Sequence, residues 1–140
     1  MAKVPYELKR NTSAGRPSVY CRASHYQTLT FDDICRSASH IVHVPPAMLR
    51  GYVQAVLDEA YLQVRRGQRV ELGDRFLSLY AQVHHSVKAD VDRETGEILW
   101  PDDDDIIPRG RDGRVECEVH KRLNRTFRSE VHWVRRKGGV

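Results

Sequence analysis

A chain of 140 residues and 16.2 kDa has room for one hydrophobic core and an extra arm or hairpin, and two full domains would be crowded. Its 40% apolar and 30% charged residues suit a folded protein better than a disordered one, and no apolar run approaches the roughly 18 residues that cross a bilayer, so a cytoplasmic protein without membrane contact is expected. The net charge of +4 is unevenly spread: Lys and Arg outnumber Asp and Glu five to one over residues 1–29 and ten to four over 109–140, but fall behind four to ten over 67–108.

Val4 to Lys9 alternates apolar and polar side chains, as does Ser18 to Ala23 after the turn-rich Asn11-Thr12-Ser13-Ala14-Gly15. The pattern predicts a hairpin with Lys9, Arg10 and Arg16 about its tip, filling residues 1–29. Thr30 is placed to cap a helix whose first turn holds Asp32 and Asp33, and Phe31, Ile34, Cys35, Ala38, Ile41 and Val42 follow on one face. Pro45 and Pro46 end that helix and open a longer one, in which Leu49, Tyr52, Val53, Val56, Leu57, Ala60, Tyr61 and Val64 recur at helical spacing. This stripe is read as core, with an oligomer interface as its functional use. Arg65-Arg66-Gly67 suits the helix end.

Arg69–Leu72 and Phe76–Val87 have strand character around Gly73-Asp74, so residues 30–88 read as two helices and a central hairpin. Residues 89–114 collect Gly, Pro and acids around Trp100-Pro101 and Asp102–Asp105, which predicts a long loop or arm. Val115, Cys117 and Val119, then Val131 and Trp133, alternate with polar residues and predict a last hairpin over 115–137, turning near Leu123-Asn124-Arg125. The fold class expected is α+β, two amphipathic helices packed on antiparallel hairpins.

Two helices followed by Gly67-Gln68-Arg69-Val70-Glu71-Leu72-Gly73-Asp74-Arg75-Phe76 and a charged arm resemble the HU/IHF-type bacterial DNA-binding proteins. Arg75 stands where that family usually carries glycine. Strands such as Tyr6-Glu7-Leu8-Lys9 and Val19-Tyr20-Cys21-Arg22-Ala23 ahead of the first helix resemble an HU-related group common in gut Bacteroidetes. The resemblance covers residues 3–88. It implies a homodimer whose helices interlock, a saddle of strands, and arms that enter the minor groove, with Pro101, Ile106, Ile107 or Pro108 as a wedge. It implies binding of double-stranded DNA with little sequence preference, in nucleoid organisation, by one HU-like domain over residues 1–140.

Phosphate needs cations, and the candidates are Lys9, Arg10, Arg16 and Arg22 near the start, with Arg109, Arg111, Arg114, Lys121, Arg122, Arg125 and Arg128 near the end. Their alternative use is to keep strand edges soluble. Asp102–Asp105 would repel phosphate, and this motivates a second reading in which the HU-like fold holds a protein partner and has lost DNA. Cys21, Cys35 and Cys117 are widely spaced, the seven histidines form no closed ligand set, and no phosphate loop or nucleophile motif occurs. No metal, cofactor, small-molecule substrate or enzymatic activity is therefore expected. A small basic nuclease using His84, His85 or His132 is the weakest reading.

Overall fold

The alternation at the start of the chain builds a hairpin: β1 (Ala2–Asn11) pairs antiparallel with β2 (Ser18–Ala23), Tyr6 opposite Ala23 and Leu8 opposite Cys21. The computed structural model describes residues 2–12, 15–100 and 106–136. Its chain divides into two units, Met1–Val56 with Lys121–Val140, and Leu57–His120.

In the first unit, α1 (Phe31–Val42) begins as its sequence requires. The Thr30 hydroxyl accepts from the Asp33 N–H at 3.2 Å, and the Asp33 carboxylate accepts from the Thr30 N–H at 3.0 Å. Two otherwise orphaned N–H groups are thereby satisfied. The Thr30 N–H, helped by its hydroxyl, holds the Asp33 carboxyl below the usual carboxylate range. A depressed folded value means that this contribution is complete above the unfolded pKa and is lost as pH falls from there through the lower folded pKa. We expect Thr30→Ala to cost about 1 kcal/mol near neutral pH. Urea midpoints measured down the acid side should then fall less steeply in the variant than in the parent chain.

The buried positions of α1 are Cys35 and Ser39, with Phe31 and Ala38 half-buried, whereas Ile34, Ile41 and Val42 are exposed, so this chain by itself covers only part of the apolar face expected from spacing. Pro46 opens α2 (Pro46–Arg65). Arg50 reaches back to Asp32 at 2.5 Å and lies over the Phe31 ring at 5.3 Å, which ties the start of α2 to that of α1.

The hairpin expected over 115–137 does not form. Gly113–Val119 is a strand (β7), Lys121–Glu130 is a helix (α3) and Val131–Arg135 is a strand (β8). Two forces separate the strands. Leu123 and Phe127 stand four apart and give α3 one apolar edge opposite its cations, whereas a strand would put Arg125 between them on the same face. β8 also finds a partner far upstream, pairing parallel with β1 so that Val4 meets Trp133 and Tyr6 meets Arg135. A parallel pair needs a long connection, and nearly the whole chain supplies it. The Arg136 N–H donates to the Tyr6 carbonyl at 2.8 Å, and its guanidinium donates to the buried Ser24 hydroxyl at 2.9 Å. The sheet order is β2-β1-β8.

The second unit carries the end of α2, where Ala60 and Val64 are buried, and Gly67 closes the helix at φ 86°. β3 (Val70–Leu72), β4 (Leu77–Val83) and β7 form an antiparallel sheet, Val70 opposite Leu79 and Leu79 opposite Cys117. In the β3–β4 turn Gly73 has φ 76° and Arg75 φ 57°. A Cβ on Gly73 would stand 2.9 Å from the Phe76 Cβ, so glycine is required there on both counts. Arg75 holds the left-handed conformation without that freedom, at a cost of roughly 1 kcal/mol. Arg75→Gly is expected to raise stability by somewhat less than that, read as a higher urea midpoint at unchanged slope. Between β4 and β7 the arm contains a short pair, β5 (Asp90–Val91) and β6 (Ile98–Leu99), and a 3₁₀ turn at Gly110–Asp112. Pro101 and Asp102–Asp105 lie outside the described residues.

Candidate functional site

Charge separates along the division of the chain. The unit made of residues 1–56 and 121–140 holds fourteen Lys and Arg against four Asp and Glu, net +10, while residues 57–120 hold nine against fifteen, net −6. The overall +4 conceals this separation. The pairing of β8 with β1 puts both basic ends of the chain in one unit.

Eight of the eleven candidate cations fall there. Lys9 and Arg10 lie on β1 and Arg22 on β2, while Arg16 lies in the loop between them. Lys9 approaches Glu7 at 3.4 Å. Lys121, Arg122, Arg125 and Arg128 are on α3, not on a hairpin as expected. Helical spacing gathers Lys121, Arg125 and Arg128 on one face, opposite Leu123 and Phe127. Phe127 meets Trp133 edge-on, centroids 6.3 Å apart, which anchors α3 to β8 and leaves the basic face outward. Among the described residues no carboxylate pairs with Lys121, Arg125 or Arg128. The spacing was present in the sequence, but the strand assignment concealed it.

The other three candidates sit in the acidic unit. Arg109 and Arg111 belong to the 3₁₀ turn, where the Arg109 N–H donates to Asp112 at 2.8 Å. Arg114, on β7, donates to Glu116 at 2.7 Å. It belongs to a chain of contacts across the polar face of β3-β4-β7. The Tyr80 hydroxyl reaches Glu116 at 3.2 Å, Arg69 lies over the Tyr80 ring at 4.6 Å, and Arg69 donates to Glu118 at 2.7 Å. The Glu118 carboxylate holds the Arg69 proton more tightly, and burial, with help from Glu116, pushes the Tyr80 phenol upward. With its cations already engaged by carboxylates, this face has little to offer phosphate. His85 approaches Asp112 at 3.4 Å, and among the described residues no group of three or more His, Cys, Asp or Glu is placed to hold a metal. Among the same residues no helix is long and apolar enough to cross a membrane.

A Bacteroides vulgatus crystal structure described as that of a bacterial DNA-binding protein superposes with a TM-score of 0.58 at 11% identity, a likeness of fold alone. It covers 99% of this chain, which spans about half of the other (51%). No curated protein matches the chain. A family described as an HU domain fused to a wHTH, Ig or glycine-rich motif matches residues 1–94, more than half the length. The chain therefore belongs to this HU-domain family.

Proposed function

We propose that the protein binds double-stranded DNA with little sequence preference, as a non-catalytic HU-like homodimer of the cytoplasmic nucleoid, using residues 1–140 as one HU-like DNA-binding domain. The observation that carries this reading is the +10 unit, in which α3 and the N-terminal hairpin meet through β1 and β8. Lys and Arg bound to phosphate release condensed counterions whatever the base sequence. Lys9, Arg10, Arg16, Arg22, Lys121, Arg122, Arg125 and Arg128 supply these contacts. Arg109 and Arg111 add peripheral ones, and Arg114 contributes least because Glu116 already holds it.

The dimer is supported by how little the chain covers by itself. Among the described residues the buried apolar side chains are Pro5, Cys35, Ala60 and Val64, fewer than a chain this long needs for a stable core. Along α2, Tyr52, Val56, Leu57 and Tyr61 are exposed. A second copy laid on this stripe would remove it from water, as the family resemblance implies. The test is a mobility-shift titration with several unrelated duplexes over a range of salt, alongside a measurement of mass in solution.

A further inference from the structure

The sheet β2-β1-β8 has a face whose aromatic side chains the duplex reading leaves unused. Its register puts Tyr6, Leu8 and Arg10 of β1 together with Cys21 of β2 and Trp133 and Arg135 of β8 on that face. The buried Pro5 and half-buried Val134 lie on the other face. Trp133 and Leu8 remain 48% and 42% exposed, and a hollow of about 460 Å³ opens among Tyr6, Cys21, Arg22, Ala23 and Trp133. Glu7 is the one acidic residue in the three strands, and it belongs to the opposite face. An aromatic centre with arginines on its rim and no carboxylate is thus presented on a rigid sheet.

We infer that this face is a platform for single-stranded DNA, on which unpaired bases stack against Trp133 and Tyr6 while Arg10 and Arg135 take the adjoining phosphates. The inference rests on the DNA-binding reading and names a second DNA form for the same unit. Trp133 and Tyr6 are diagonal neighbours on adjacent strands, two residues out of register. The spacing of strands and residues sets them roughly 8 Å apart, which allows each ring its own base. Phe127 packs edge-on against Trp133, which restricts the ring before any ligand arrives. In a duplex the base faces are covered by their neighbours, so only an unpaired strand can use these rings. An apolar protein partner would leave the two rim arginines without a counter-charge. Nucleic acid supplies a phosphate for each.

The test follows Trp133 fluorescence in the full-length Trp100→Phe chain, where it is the remaining tryptophan of the two. Short oligo-dT should quench it at saturation, whereas polyglutamate, an anionic polymer without bases, should not. In the parent chain, Trp133→Leu, which keeps an apolar side chain against Phe127 and so the seat of α3, should weaken oligo-dT by roughly tenfold or more, the usual loss for one stacking platform, and leave duplex affinity within about twofold. Trp133→Phe should restore part of the loss. Arg135→Glu, at an exposed position that folding tolerates, should weaken oligo-dT in the same selective way. Failure of oligo-dT to quench, equal quenching by polyglutamate, stronger binding of oligo-U than of oligo-dT, or equal loss on both DNA forms would each overturn the platform. If the parent chain binds duplex but oligo-dT leaves Trp133 unchanged, the platform fails and the duplex reading stands. If oligo-dT quenches but no duplex binds, the reverse holds.

Discussion

A chain carrying Lys121→Gln, Arg125→Gln and Arg128→Gln should bind duplex DNA more weakly at low salt, by roughly a hundredfold for each bound protomer, at about 1 kcal/mol for each phosphate contact removed. Its salt dependence should also become shallower, by roughly 3 in the slope of log affinity against log salt for each bound protomer, because each lost contact releases about one counterion fewer. The three residues share the outward face of α3, and among the described residues no carboxylate competes for them. Glutamine keeps the helix and the aliphatic stem of each side chain, so Phe127 should still sit against Trp133 and thermal stability should change little. Arg114→Ala is the matched control. Its guanidinium is already held by Glu116, and its loss should leave affinity within about twofold. If Arg114→Ala cost as much as the triple change, the acidic unit would carry the DNA and the assignment to α3 would be wrong.

The second large effect is expected on α2. Tyr52→Asp with Val56→Asp places two carboxylates on each copy within the proposed dimer stripe, at positions exposed in the single chain. Ala60 and Val64, the buried positions of the helix, are untouched, so any loss of folding stability comes through loss of the partner copy. Burying an unpaired charge costs several kcal/mol, so the dimer should dissociate with a constant raised at least about a hundredfold. Light scattering should then report about 16.2 kDa for the variant and twice that for the parent chain. DNA binding should weaken with it, since a monomer offers half the cations to one duplex. A parent chain that is monomeric at high concentration would remove the dimer from the account.

What could be read from the sequence was what short-range physics decides. Thr30 with Asp33, Pro46 at the helix start, Gly67 at its end and the β1–β2 alternation each act within a few residues, and each stands where the pattern places it. Arg75 carries its own sign, since a left-handed turn position is where a family glycine is needed. The C-terminal third was misread because Val131 and Trp133 alternate like a hairpin strand, while their partner, β1, lies at the other end of the chain. Pairings of that kind leave no local trace. The same holds for Arg69, whose partner Glu118 lies 49 residues away. Arg114, by contrast, meets Glu116 two residues on along the same strand. Charge counted along the chain shows two basic ends and an acidic centre. Only the fold collects those ends into a +10 unit.

The central claim is tested most directly by a mobility-shift series on several unrelated duplexes, from low to moderate salt. The account predicts that all are bound with similar affinity at low salt, and that binding weakens steeply as salt rises, by about a thousandfold between 50 and 200 mM if six or more phosphates are contacted. No binding to any duplex at low salt, or binding that ignores salt, would contradict it.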